Sequence, residues 1–180
     1  QLLKDTCKVA STFGAKGVIV HGGSVGEGGD ISVGYDNWRK ALEHVEDTGM
    51  RVLVENTAGG KNSVARYMDS IERLWEVIGH LNVGLCLDTC HTWAGGIPTI
   101  DAVKGFKKLV KKIDLIHFND SKDGFESSRD RHENLGKGKI PKEELEYVIK
   151  NAKTDIIVET PNGPDAQKKD IAWIKRRLKK

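Results

Sequence analysis

Short apolar segments alternate with amphipathic helices along the whole chain, and this alternation constrains the fold more than any other feature. Val18-Ile19-Val20-His21, Arg51-Val52-Leu53-Val54-Glu55, Gly84-Leu85-Cys86-Leu87-Asp88, Asp114-Leu115-Ile116-His117 and Asp155-Ile156-Ile157-Val158-Glu159 each read as a strand. Most are rich in β-branched residues and lack apolar–polar alternation, as strands buried on both faces do. Helical patterns fill the intervals, over 2–13, 35–47, 62–78, 100–112, 141–151 and 166–178. In the third of these, Val64, Tyr67, Met68, Ile71, Leu74, Trp75 and Ile78 share one stripe. Such alternation implies βαβ units and a parallel sheet. No fixed-period repeat or low-complexity linker divides the 180 residues, so a single domain over 1–180 is expected.

All five strands end in a residue able to bind metal: His21, Glu55, Asp88, His117 and Glu159. In a closed parallel barrel the carboxyl ends of the strands converge on one rim. A doubly wound open sheet gathers ligands only near its switch point, so the pattern favours the barrel. The stretch from Ile113 to Ile140 adds to it. A polar loop leads from His117 to Asp130-Arg131-His132, and residues i and i+2 of an extended segment point the same way. Asp130 and His132 can therefore face one ion.

Composition limits the alternatives. Charged residues make up 31% of the chain, and no apolar run approaches the roughly 20 residues that span a bilayer. The chain begins at Gln1 rather than Met, so the lack of a visible signal peptide carries little weight. Cys7, Cys86 and Cys90 are an odd set without framework spacing. They point to a reducing compartment and to small buried fillers rather than a disulfide scaffold. The formal charge is +3; setting aside Glu55, Asp88, Asp130 and Glu159 as ligands leaves 22 acidic against 29 basic residues, or +7. That leans towards a polyanionic partner.

Six segments together resemble the endonuclease IV family. They are His21-Gly22-Gly23-Ser24, Val54-Glu55-Asn56-Thr57-Ala58-Gly59, Leu87-Asp88-Thr89-Cys90-His91, His117-Phe118-Asn119-Asp120-Ser121-Lys122, Asp130-Arg131-His132 and Val158-Glu159-Thr160-Pro161. The resemblance implies a TIM barrel with three zinc ions at its rim. It also implies cleavage of double-stranded DNA 5′ to abasic sites and removal of 3′-blocking groups, in base-excision repair. His21 and Glu55 would serve one zinc. Glu55 would bridge to a second, completed by Asp88, His117 and Glu159. His91, Asp130 and His132 would hold the third. A cytoplasmic, nucleoid-associated protein, monomeric when complete and without a membrane partner, is implied as well.

The chain departs from the family in two places. The family uses a ninth ligand, a histidine upstream of the one matching His21, yet none of the twenty residues before His21 is histidine. Five strands are also three short of a barrel. We therefore expect a carboxyl-terminal part of an AP endonuclease barrel that lacks its first three βα units and their DNA-intercalating loops. An isolated piece of that kind leaves its first and last strands as open edges. The second departure is Glu126, where many relatives carry glycine.

Within this reading Glu55 and Glu159 are the expected catalytic carboxylates. Arg131, Lys122 and Lys137 are candidate phosphate contacts, Arg131 being equally open to pairing with a surface acid. Trp93 is placed to line an abasic pocket. Trp38, Trp75 and Trp173 suit packing between sheet and helices, and His44 and His80 suit the surface. A sugar isomerase or epimerase barrel and a non-catalytic nucleic-acid-binding fragment are the alternatives. The first would leave His91, Asp130 and His132 without a role.

Overall fold

Valine, isoleucine and leucine dominate the strands because branched side chains pack well on a pleated surface. The computed structural model describes residues 1–179. Its strands are β1 (Val18–His21), β2 (Val52–Glu55), β3 (Val83–Asp88), β4 (Leu115–Phe118), β5 (Asp120–Ser121), β6 (His132–Glu133) and β7 (Asp155–Val158). Strands β1, β2, β3, β4 and β7 form one parallel sheet in that order, while β5 and β6 pair antiparallel. The helices are α1 (Leu2–Thr12), α2 (Ile31–Val45), α3 (Met68–Ile78), α4 (Thr89–Gly95), α5 (Thr99–Leu109), α6 (Lys142–Asn151) and α7 (Gly163–Leu178).

One face of the sheet is dry. Val52, Val54, Leu85, Leu87, Ile116 and Phe118 are buried with Trp38, Leu42, Ile71, Leu74, Trp75, Phe106, Leu145, Val148 and Trp173 of the helices. The three expected shell tryptophans thus pack as foreseen, and His44 and His80 are exposed. The opposite face is concave and lined by Ile19, Leu53, Leu115 and Ile157 around a cavity of about 520 Å3. Among the described residues the sheet does not close on itself: β1 and β7 are each paired on one side only. Ile157, on β7, is 46% exposed. The two-residue repeat of a strand puts His21, Glu55, Asp88, His117 and Glu159 on the same face as these lining residues.

Several boundaries differ from the sequence expectation, each for a local reason. Helix α2 starts at Ile31 rather than Tyr35, because Asp30 accepts a hydrogen bond from Ser32 N (2.9 Å) and caps it. Gly34 is tolerated inside that helix because a Cβ there would stand 2.5 Å from Val64 Cγ2. Helix α3 starts at Met68, not Asn62. The residues before it fold back on the exit of β1, with Val64 N donating to Gly23 O and Thr57 N to Ala65 O, both at 2.9 Å. Helix α4 and the β5–β6 hairpin were not foreseen. His117 lies one residue before the end of β4, and Glu159 one residue beyond β7.

Gly22 holds the first strand exit in place. Its N–H donates to Glu55 O (2.9 Å), and its carbonyl accepts from Trp38 Nε1 (2.8 Å). A Cβ at this position would lie 2.2 Å from Ala65 Cβ. Gly22→Ala should therefore force β1 away from the loop after β2 and cost about 1–3 kcal/mol, the usual penalty of overpacking. A urea denaturation midpoint equal to that of the unmodified chain would contradict this.

Candidate metal centre

Each strand exit delivers one donor. Glu55 closes β2 and is 4% exposed. Its carboxylate reaches three imidazoles: His117 Nδ1 at 2.9 Å, His21 Nε2 at 3.5 Å and His91 Nδ1 at 3.5 Å. Asp88 closes β3, and its Oδ1 accepts from His91 N (2.8 Å), capping α4 and fixing where His91 stands. Glu159 Oε2 lies 3.2 Å from His117 Nδ1. Asp130 spans His91 and the fourth ring, His132, with Oδ2 3.0 Å from His91 Nε2 and Oδ1 3.1 Å from His132 Nε2.

The donor atoms fall into overlapping groups whose members lie within 4.8 Å of one another. One is His21, Glu55 and His91; another is Glu55, Asp88, His117 and Glu159; a third is Asp88, His91 and His132. Cys90 joins Asp130 and His132 in a fourth. Burial pushes the Cys90 thiol up to about 12, which disfavours the thiolate a metal needs. All eight residues singled out from the sequence, His21, Glu55, Asp88, His91, His117, Asp130, His132 and Glu159, are thus brought to one rim.

The tautomers can be read from the partners. His91 Nδ1 faces Asn56 O at 2.8 Å and His132 Nδ1 faces Glu159 O at 2.7 Å. A carbonyl only accepts, so both Nδ1 atoms carry hydrogen and both neutral rings turn the Nε2 lone pair towards Asp130. In the neutral ring His91 Nε2 is buried and, among the described residues, has no donor to accept from; it faces Asp130 Oδ2 at 3.0 Å, so a proton or a cation between them would satisfy both. An orphaned buried nitrogen is uncommon. Facing a carboxylate and a second imidazole, it fits a divalent cation, and imidazole with carboxylate is a donor set that suits zinc.

Without a metal the cluster neutralises itself. Burial works against a charged His91, but the carboxylates of Asp88, Asp130 and Glu55 outweigh it and push the ring up to about 9. His117 and His132 are raised too, their burial outweighed by hydrogen bonds to Glu55 and Asp130 respectively. His132 and His91 in turn hold Asp130 well below the usual carboxylate range. The folded pKa of His91 exceeds the ordinary value of 6.5, so its charged form contributes stability in full below pH 6.5. That contribution is lost as pH rises towards 9. Metal-free protein should therefore lose thermal stability between pH 6.5 and 9; a flat profile there would contradict the assignment.

The candidate phosphate contacts differ among themselves. Arg131 pairs bidentately with Asp123, Nε to Oδ2 at 2.6 Å and Nη2 to Oδ1 at 2.5 Å. Lys122 is exposed and lines a groove of about 680 Å3 with Arg131, His132 and Glu159. Lys137 is exposed on the loop before α6 and does not line that groove. Trp93 is half-buried, donating from Nε1 to Asp123 O (3.2 Å) and meeting Phe125 edge-on at 5.0 Å.

The family model for xylose isomerase-like TIM barrels matches residues 1–177. A probable endonuclease 4 of Mycobacterium tuberculosis is 48% identical over 177 residues, covering 98% of this chain and 69% of the relative. The chain belongs to the endonuclease IV family. The probable endonuclease 4 of Mycobacterium leprae is 45% identical over the same share of each chain. The crystal structure of endonuclease IV from Thermus thermophilus superposes with a TM-score of 0.79 at 29% identity, over 98% of this chain and 66% of that one. A D-tagatose 3-epimerase-like protein superposes at 0.75 with 22% identity, over 98% and 67%, a likeness of fold. The chain thus spans about two thirds of the length of these endonuclease IV relatives.

Within this endonuclease IV rim, Glu126 has φ +60°, a left-handed backbone that favours glycine. Its N–H donates to Trp93 O (3.0 Å), which holds the loop against α4 despite the side chain. Two buried asparagines beside the strand-exit donors escaped the sequence reading, Asn56 and Asn119. The available signal was a lone amide placed one residue after Glu55 and two after His117, where burial demands a full set of partners. Among the described residues no helix is long and apolar enough to cross a membrane.

Proposed function

We propose that this chain supplies most of a zinc-dependent AP endonuclease that hydrolyses double-stranded DNA 5′ to abasic sites and leaves a 3′-hydroxyl. The observation that carries the reading is the orphaned Nε2 of His91, facing Asp130 beside His132 in a chain of the endonuclease IV family. His21 and Glu55 would hold one zinc; Glu55, Asp88, His117 and Glu159 a second; His91, Asp130 and His132 a third. Bound zinc supplies a water acidified to about pKa 7 and a positive clamp on phosphoryl oxygens. Glu55 sits centrally and would orient groups on both sides of it, while Glu159, half-buried at the groove, would face the substrate. Lys122 offers a cation to the DNA backbone along the same groove, and Arg131 could do so by exchanging Asp123 for phosphate. The free edges of β1 and β7 are where further strands of an eight-stranded barrel would pair.

A sugar isomerase reading uses one metal and leaves the His91, Asp130 and His132 cluster idle. Elemental analysis separates the two: two or three zinc ions per chain support the nuclease, and a single divalent ion excludes the trinuclear form. Cleavage is to be measured on duplex DNA with one abasic-site analogue, using the chain joined to the unmatched segment of the Mycobacterium tuberculosis relative. Cleavage 5′ to the lesion that chelator abolishes is the expected result; intact DNA with zinc fully loaded would refute the proposal.

A further inference from the structure

We infer that Asn119 is a positioning residue that sets the relative placement of two candidate zinc sites through Asp88 and His132, an inference that rests on the zinc reading above. Asn119 follows β4 and is 0% exposed. Its Oδ1 accepts from Cys90 N at 2.8 Å, at the start of α4. A backbone N–H can only donate, so the amide oxygen must face α4 and the amide nitrogen must face the other way. There Nδ2 donates to Asp88 Oδ2 at 2.7 Å and lies 3.2 and 3.3 Å from the two ring nitrogens of His132. Asn119 N also donates to Thr89 Oγ1 (3.0 Å), so the residue is pinned to α4 by backbone and side chain together.

Asp88 is the carboxylate common to two groups, one with Glu55, His117 and Glu159 and one with His91 and His132. Its two oxygens are treated differently. Oδ1 accepts from His91 N, and Oδ2 from Asn119 Nδ2. Each oxygen therefore keeps one direction free for a cation, and the carboxylate cannot swing towards either group. The same amide nitrogen lies nearly equidistant from the two ring nitrogens of His132, a packing contact rather than a hydrogen bond, since Nδ1 already donates to Glu159 O and the Nε2 lone pair faces Asp130. One NH2 group thus fixes the gap between the carboxylate of one site and the imidazole of the next. Asn119 holds Asp88 as a hydrogen-bond donor and His132 by packing, and not as a ligand, since its side-chain oxygen points away from both groups. Partners that orient metal ligands typically cost 10–100-fold in metal affinity when removed.

The test compares Asn119→Asp and Asn119→Ala in the 180-residue chain. Zinc affinity is read by competition with a chromophoric chelator, the cobalt(II)-substituted visible spectrum reports ligand geometry, and circular dichroism checks the fold. Asn119→Asp has the same shape and still accepts from Cys90 N, but puts an oxygen where the donor was. Both variants should bind zinc about 10–100-fold more weakly at part of the complement and shift the cobalt spectrum. Unchanged affinity and spectrum in Asn119→Asp would mean that only shape matters, and tighter zinc binding would mean that residue 119 ligates directly; either overturns the inference. If the unmodified chain binds zinc and the variants match it, the inference alone fails. If the unmodified chain binds none, the zinc reading fails and takes the inference with it.

Discussion

Glu55→Gln is expected to reduce hydrolysis of abasic-site DNA by at least about 10²-fold, the scale of losing a group that stabilises transition-state charge. Among the described residues Glu55 is the one carboxylate that reaches His21, His91 and His117 together. Burial opposes its ionisation, but the hydrogen bond from His117 and the neighbouring imidazoles hold the group below the ordinary carboxylate range. It is therefore ionised, and the amide of glutamine would keep the volume while removing that charge. Bound zinc should fall by at least one ion per chain. Affinity for the DNA should persist, because Glu55 lies beneath the rim and not on its surface. Single-turnover cleavage and zinc content are the measurements; turnover near that of the unmodified enzyme with a full zinc complement would refute the role. Glu159→Gln should act in the same direction with a smaller effect, since the Glu159 carboxylate reaches one imidazole, His117, where that of Glu55 reaches three.

Removing the metal should lower the melting temperature by on the order of 10 °C at pH 8. Ligand bound only by the native state at 1,000 times its dissociation constant contributes about 4 kcal/mol. In a domain of this size each kcal/mol moves the melting point by about 2–4 °C. Four carboxylates, Glu55, Asp88, Asp130 and Glu159, crowd the cluster and repel one another once the imidazoles lose their protons. At pH 6 a charged His91 offsets part of that repulsion, so the same chelator treatment should cost less there. Calorimetry with and without chelator at both pH values decides the matter. A melting point indifferent to chelator at pH 8 would leave the cluster without a structural metal.

Much of the fold could be read from the chain because each buried strand is a local signal. β1 runs over Val18–His21 as expected, and the other four strands of the sheet lie within a residue or so of their apolar runs. The candidate donors at the strand exits were legible for a related reason: a charged or imidazole residue directly after an apolar run marks where a strand leaves the sheet. What stayed hidden depends on contacts between distant segments. Nothing local in Asn62–Tyr67 stops a helix; the chain is unwound there by Gly23 and the loop after β2. Helix α4 escaped notice because Thr89-Cys90-His91 reads as a strand exit until Asp88 is seen to cap it. The pairing of Arg131 with Asp123 likewise depends on how the loop after β5 turns, which the spacing of the two residues leaves open.

Asp88 is both the last residue of β3 and the cap of α4, so strand and helix meet with no connecting loop. An inserted residue at that junction would rotate the helix by about 100° about its axis, at 3.6 residues per turn, and swing His91 off the rim. The loop at 123–126 fixes no helix: hydrogen bonds at Asp123 and Glu126 tie its two ends to Trp93, but between them Gly124 has open space around it, and Phe125 and Glu126 are exposed. Length variation among related chains should therefore collect at 123–126 and be absent between Val83 and Gly95. The first is the place where new contacts to the substrate can be acquired without disturbing the cluster.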